Sequence, residues 1–578
     1  MQIFIAMQEL GRLLFSLSTF GPGQQAPRLL ILGLGSSRDR NIKTSMAMLK
    51  QYQHYLLITL LTGLILGLTH PAGYFTHDPQ HKLIQAYSLW QNHFQSEELV
   101  YPWRDQDPDF SLYAYRETYL IHVGDRYLGQ YPLFFSAIGA LIYGVAGASA
   151  LPLVGLLFTL AVFLFCGRLW GLQKGDYYIG VIAAPILLFG LDYTETNWLM
   201  GISLLGLTVM FRSPRRLRWY KRRYFYGAAL AGLGVFLRLE MIPFFAAIWL
   251  AVLAVAWRLR PLRRPLLLRM ALQMAAGFAL TGLFFMAFNY WDYGHPLGPR
   301  FLVNVHSADY GDLKAFSLRV LSLLFWRENG FGIFGAAPWL AVALLFVLLH
   351  RRYQRWSWTL QILFISILIM IPLLVGLAPN DGVFNPFGPR YLALVYFPAV
   401  IVVSQVRRDF KIDEGAGRWL LWVYRAGLGW SALLFIVAVL ALRLGAGSNV
   451  KFQKELAQLP GDVRLIGENR LLYKLGLQYF DPRPTLTLYS QADLEEALTS
   501  IKQRPDLKTI LLLQGPPPPE LSTTQKEILG RTGALQIFEA DAAKWKQIND
   551  FADRLSVVCR LQHDFARKGF TARLFRCQ

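Results

Sequence analysis

The chain has 578 residues, of which 54% are hydrophobic, 14% aromatic and only 16% charged, with a mean hydropathy of +0.33. Its apolar stretches are about 20 residues long, the span of a bilayer core, and they exclude an ordinary soluble globular protein. The net charge of +21 is concentrated in short loops between those stretches, which is a positive-inside pattern and not a nucleic-acid footprint.

Residues 1–49 differ in character from the rest of the chain. "LLILGLGSSRDR" carries G-x-G without a third glycine or a strand–helix–strand context, and the start lacks a small-residue cleavage pattern. Met46 or Met48 makes a more natural start, so this segment is expected to be a flexible extension or a mis-assigned start. From residue 50 to 446 the pattern predicts about eleven crossings. The first covers roughly residues 55–73, and a long loop, 74–148, comes after it.

The second crossing is "LPLVGLLFTLAVFLFCGRLWG", the third "YYIGVIAAPILLFGLDY" and the fourth "NWLMGISLLGLTVMF". The fifth, "YFYGAALAGLGVFL", is short, and the sixth ends on the basic run "RLRPLRR". The remainder run from "MALQMAAGFALTGLFFMAF" to "LLWVYRAGLGWSALLFIVAVLAL". Alternate loops are basic, as at Arg215, Arg216, Arg218, Lys221, Arg222 and Arg223. The loops between them are acidic or mixed, so the pattern predicts a multi-pass plasma-membrane protein with its N-terminus cytoplasmic. The C-terminal segment, 447–578, would then be extracytoplasmic.

That segment lacks long apolar runs. "VRLIG", "KTILLLQG" and "ALQIFEAD" are expected as strands, "QADLEEALTSIKQ" and "DAAKWKQINDFADRL" as helices, giving a small α/β domain. A β-hairpin is expected at "LSVVCRLQHDFARKGFTARLFRC". Its Cys559 and Cys577 either pair in an oxidising compartment or stay as free thiols, and sequence alone leaves both open. Cys166 lies in an apolar run and is expected to be a small core residue.

Polar groups gather in the outer loops. The first holds His77, Asp78, His81, Arg116, Asp125, Arg126 and Tyr131; "YLIHVGDRYLGQYP" predicts a hairpin turning at Gly124-Asp125. The helix after Asp78 carries Leu83, Tyr87, Trp90 and Phe94 on one face, so it is expected to lie along the membrane surface. A second group holds Asp292, His295, Arg300 and His306, and a third, "PNDGVFNPFGPRYL", holds Asp381 and Arg390. Arg238 and Glu240 should reach the same side, as a mutual ion pair or as site residues. Asp78 followed by proline is a competent helix cap, and Arg390 at a helix start is a competent snorkelling residue. His77 and His81 beside Asp78 would be the place for a divalent metal, which is not expected.

Taken together, residues 50–445 resemble the GT-C class of membrane glycosyltransferases, which includes protein O-mannosyltransferases and the lipid A aminoarabinose transferases. The resemblance rests on an acid just after the first span, the long outer loop, the second span, "FNYWDYGHPLGP" and "FNPFGPRYL". It implies a polyprenyl-phosphate sugar donor, a lipid, glycan or protein acceptor, Asp78 as the catalytic acid residue and Arg390 as a holder of the carrier phosphate. The aminoarabinose branch has a Glu-Lys pair where this chain reads Gly129-Gln130-Tyr131-Pro132, so that phosphate contact must come from elsewhere. One carboxylate with arginines suits a single inverting displacement; a retaining route needs a second carboxylate, for which Asp125 is the candidate. A transporter or flippase of a lipid-linked substrate is the alternative, though repeated halves around a midplane site are not visible.

Overall fold

The computed structural model describes residues 37–578 except 70–77, 117–118, 185, 213–220, 259–263, 307–312, 328–329, 350, 380–388, 413–417, 505, 517–533, 568 and 578. The expected extension 1–49 lies largely outside the described residues, as do His77 and Asp381. Two compact units are present, Met1–Leu57 and Ile58–Gln578, and the division falls within the helix Ser37–Thr69.

Among the described residues, six helices are long and apolar enough to cross a membrane: Ala150–Trp170, Met241–Arg258, Arg264–Tyr293, Trp358–Leu377, Arg390–Asp409 and Trp419–Gln458. Apolar side chains on them, among them Leu272, Leu283, Trp291, Trp422 and Leu444, are exposed, as on surfaces that lipid covers. The expected third crossing is not one helix. It is broken into Lys174–Tyr178, a π-helical turn Ile179–Ala183 and Ile186–Gly190, and the sequence has Pro185 at the break, where no N–H can continue the ladder. The fifth tightens from Arg223–Gly232 into a 3₁₀ turn, Leu233–Phe236. The helix Glu195–Arg212 packs on Arg223–Gly232 at a glycine pair, where a Cβ on Gly206 would stand 2.8 Å from the Gly227 carbonyl oxygen.

The long loop after the first apolar helix contains the expected hairpin, β1 (Leu120–Val123) antiparallel to β2 (Arg126–Gly129). Gly124 takes φ +61° at its two-residue turn, a conformation that side-chain-bearing residues avoid. A second small hairpin, β3 (Trp326–Arg327) with β4 (Gly330–Phe331), lies farther along the chain. The surface placement expected for the helix Asp78–Gln91 is overturned. Its residues 79–86, Ser88 and Leu89 are buried, because the helix Leu133–Ala146 and the C-terminal domain pack on it. Tyr87 meets Tyr143 at 5.6 Å and Phe480 at 4.4 Å between ring centroids. The amphipathic spacing was real, but both faces found protein partners.

The last long helix, Arg418–Gln458, runs unbroken through residue 446 into the C-terminal region. There β5 (Val463–Ile466), β6 (Thr485–Thr487), β7 (Thr509–Gln514), β8 (Cys559–Arg567) and β9 (Phe570–Cys577) form one sheet in the order β6-β5-β7-β9-β8. β5 is parallel to β6 and β7, while β9 is antiparallel to β7 and β8. "ALQIFEAD" is not a strand but the first turns of the helix Ala534–Val558; a short apolar run joined to "AAKWKQINDFADRL" propagates that helix backwards. The hairpin β8–β9 places Cys559 opposite Cys577, and the two form a disulfide with Cα atoms 4.3 Å apart.

One apolar core joins the sheet to the long loop that carries β1 and β2. Trp103, Phe110, Leu112, Tyr113 and Tyr115 are buried in it together with Leu465, Leu486, Ile510, Leu512 and Phe575. Each such buried side chain contributes about 1.5–3 kcal/mol, so loop and domain fold as one body.

Candidate active site

Asp78 is the first residue of its helix, yet its carboxylate is not taken up by the helix end. Oδ1 accepts a hydrogen bond from the Tyr119 hydroxyl at 2.9 Å and Oδ2 one from Arg390 Nη1 at 2.8 Å. Both charged side chains are 22% exposed, so the pair is reachable from outside. Burial raises the carboxyl's pKa, but Arg390, Lys82 and Arg300 outweigh it and hold Asp78 well below the usual carboxylate range. A position in the first helical turn favours the same ionised form.

One turn on, Lys82 enters a second, deeper cluster. Its Nζ lies 2.6 Å from Glu195 Oε2, with both side chains almost wholly buried. Burial lowers the Lys82 pKa, and Glu195 and Asp78 oppose that. The other oxygen of Glu195 accepts from Arg238 Nη1 at 3.1 Å and from Arg300 Nη1 at 2.8 Å. Arg238 is also paired with Glu240, its Nε 2.9 Å from Glu240 Oε1. Arg238 therefore belongs to the expected mutual pair and to a wider network at once. A charge in such a place is expensive unless matched, and Glu195 is the match for three cations.

Tyr131 lies near both clusters, its ring 6.0 Å from that of Tyr119. Lys82 Nζ stands 4.7 Å and Arg300 Cζ 4.9 Å from its ring centroid. Its backbone is clasped by the Gln85 amide, which donates to the Tyr131 carbonyl at 3.2 Å and accepts from its N–H at 3.1 Å. Gly129 is required beside that clasp, since a Cβ there would come within 2.2 Å of Gln85 Cδ.

His81 is buried, with its ring stacked on Tyr119 at 4.7 Å and edge-on to Tyr115 at 5.6 Å. Burial pushes its pKa down to about 3, so the imidazole is neutral. Among the described residues no three His, Cys, Asp or Glu side chains stand together in a way that could hold a metal.

Asp78, Arg390, Arg300, Arg238, Glu240 and Tyr131 are thus brought together. Arg116 and Asp125 are not. Arg116 pairs with Asp493 of the C-terminal domain at 3.1 Å. Asp125 is exposed at the tip of the β1–β2 turn, where the two-residue hairpin geometry carries it. His295 Nδ1 accepts from the Leu297 N–H at 3.2 Å, a local turn contact. Sequence reasoning missed Glu195, Lys82 and Tyr119. The signal for Glu195 was present, an ionisable residue between two apolar runs in "LDYTETNWLMG", and such a residue is a site candidate by default. Tyr119 had no local signal, because only the tertiary fold brings it to Asp78.

The six helices of crossing length among the described residues define the class, an α-helical polytopic membrane protein. No family model matches the chain, and no curated protein matches it. Among solved structures it is similar to the crystal structure of ArnT from Cupriavidus metallidurans bound to undecaprenyl phosphate. That match has a TM-score of 0.48 and 12% identity, and covers 91% of this chain and 98% of that one.

Proposed function

We propose that the chain is a GT-C-type glycosyltransferase that moves a sugar from a polyprenyl-phosphate carrier to an acceptor hydroxyl on the extracytoplasmic side of the plasma membrane. The observation that carries this reading is the reachable ion pair of Asp78 with Arg390, set against a deeper cluster in which Lys82, Arg238 and Arg300 face the carboxylates of Glu195 and Glu240. Arg300, at 17% exposure, joins Arg390 at the rim, whereas Lys82 and Arg238 are buried against Glu195. The two rim arginines are therefore the cations exposed enough to meet a phosphate, and guanidinium suits its oxygens.

The chemistry is set by those positions. The acceptor oxygen attacks the anomeric carbon while Asp78 takes its proton. The bond from that carbon to the phosphate oxygen breaks, its electron pair stays on the phosphate, and Arg390 and Arg300 stabilise the charge that gathers there. One displacement inverts the anomeric centre, and no second carboxylate is needed.

As it stands, Asp78 paired with Arg390 is a weak base, because the cation lowers its proton affinity. Arrival of the donor phosphate gives Arg390 a second anion to serve. Asp78 then regains basicity only when the donor is in place, which protects the site from idle protonation chemistry. The test is transfer by purified protein from a labelled polyprenyl-phosphoryl sugar. Asp78→Asn should still bind undecaprenyl phosphate but lose transfer. Retention of full transfer by that variant removes the reading.

A further inference from the structure

Tyr119 is tied to two places at once. Its hydroxyl donates to Asp78 Oδ1 at 2.9 Å, and its backbone N–H donates to the Tyr115 carbonyl at 3.0 Å. The residues just before it, 111–116, lie on the C-terminal domain. Leu112 offers its carbonyl to the N–H of Thr487 in the edge strand β6 at 3.0 Å. The Tyr115 hydroxyl donates to the Leu472 carbonyl at 3.2 Å, and its ring stacks on Tyr473. Arg116 closes the strap with two bonds of 3.1 Å to the Asp493 carboxylate, while also bonding the Ser111 carbonyl. Asp493 in turn accepts from the N–H groups of Tyr489 and Ser490, which fixes it at the start of the helix Gln491–Lys502.

We propose that Tyr119 is a positioning residue for the Asp78 carboxylate, and that the C-terminal domain sets its place through the strap 111–116. The domain is thereby given a task in the reaction, orienting the base, without contributing a group that touches substrate. The inference rests on the reading of Asp78 as the base, but its structural content, a coupling from Asp493 to Asp78, is tested without any transfer assay. Oδ1 faces Tyr119 and Oδ2 faces Arg390; Lys82 and Arg300 are the further cations acting on the carboxylate, and neutral His81 packs behind Tyr119. When Tyr119 is lost or drifts, a hydrogen bond to a charged acceptor goes with it, and the carboxylate becomes easier to protonate.

The experiment is carbodiimide labelling of the full-length protein in detergent at fixed mildly acidic pH, read by mass spectrometry at Asp78, with exposed Asp125 as internal reference. Carbodiimide takes the protonated carboxyl, so labelling tracks the protonated fraction. Tyr119→Phe keeps the ring against His81 and should raise Asp78 labelling by roughly three- to tenfold. Arg116→Met should raise it in the same direction, and the double variant should go no further than Tyr119→Phe alone, since Arg116 acts through Tyr119. Unchanged labelling in Tyr119→Phe overturns the positioning role. Unchanged labelling in Arg116→Met, or an effect that adds to that of Tyr119→Phe, overturns the part given to the domain. Size-exclusion profiles identify a misfolded variant; Tyr115→Phe, which frees the strap from Leu472 while keeping the ring, then takes the place of Arg116→Met under the same criteria. Loss of transfer in Asp78→Asn with no labelling response in Tyr119→Phe would sink this inference and leave the glycosyltransferase reading standing.

Discussion

Arg390 Nη1 and Asp78 Oδ2 stand 2.8 Å apart although 312 positions separate the two residues in the chain. The pair joins the start of the helix Asp78–Gln91 to the start of the span Arg390–Asp409, so it ties the two elements together at the reachable part of the site.

The pairing dictates how the protein should respond to acid. The folded pKa of Asp78 is held below its unfolded value, so the pair contributes stability that is fully present above the unfolded pKa, about 4. That contribution is lost as pH falls through the still lower folded value. Arg390→Gln should move the acid limb of transfer upward by about one pH unit or more and lower activity, with Arg390→Lys intermediate because a lysine keeps the charge but not the fork. An acid limb unmoved in Arg390→Gln would show that the guanidinium does not act on Asp78.

Glu195 is the anion on which Lys82, Arg238 and Arg300 converge. Glu195→Gln leaves buried Lys82 without its carboxylate partner and Arg238 with Glu240 alone, and removing one partner of such a group costs about 3–5 kcal/mol. Thermal unfolding in detergent should shift down accordingly. Glu195→Asp, which keeps the charge with poorer reach, should lose less. Equal stability of Glu195→Gln and wild type would mean that the cluster is solvated in the membrane-embedded protein.

A second carboxylate pair gives an opposite pH response. Glu97 accepts from the Tyr293 hydroxyl at 2.8 Å and lies beside Asp292, which Arg126 holds at 3.1 Å. Burial first, then the hydrogen bond and charge of Asp292, push Glu97 up to about 8. The folded state thus binds a proton that the unfolded state releases near pH 4 to 5. Stability from this contact is complete below that range and falls as pH rises towards 8. Melting temperatures measured between pH 6 and about 8.5 should decline in wild type and decline less in Glu97→Gln. A Glu97→Gln slope matching wild type would place the titration elsewhere.

The disulfide offers a separate test. Cys559 and Cys577 close a loop of sequence separation 18, for which chain-entropy reasoning gives about 3 kcal/mol. Non-reducing mass spectrometry should find only Cys166 alkylatable after denaturation. Reduction should lower the unfolding temperature of the C-terminal sheet by several degrees. Three alkylatable thiols in freshly prepared protein would contradict the pairing.

Much of the scaffold was legible in the sequence, for physical reasons that differ by element. The spans Ala150–Trp170 and Trp358–Leu377 announce themselves by length and apolarity, and the β1–β2 turn by Gly124 between two short apolar runs. Charges beside apolar spans are costly and therefore stand out, which marks Arg300, Arg238 and Glu240 in the sequence, while Asp78 and Arg390 are marked by their place in the resemblance. What escaped was whatever depends on a partner far away in the chain. The helix Asp78–Gln91 has the spacing of a surface helix, and only the arrival of Phe480 and Tyr143 makes it a buried one. Lys82 is an ordinary residue on that helix until Glu195 is placed opposite it. Arg116 has the charge of a site residue, but Asp493 claims it for the strap.

The role proposed for the Asp78 carboxylate is to take the proton during sugar transfer from a polyprenyl-phosphate donor. Single-turnover transfer from a labelled polyprenyl-phosphoryl sugar, in membranes holding equal amounts of folded wild type and Asp78→Asn, tests it most directly. Product is expected from wild type, with a rate at least about a hundredfold lower from Asp78→Asn; equal rates from the two would contradict that role.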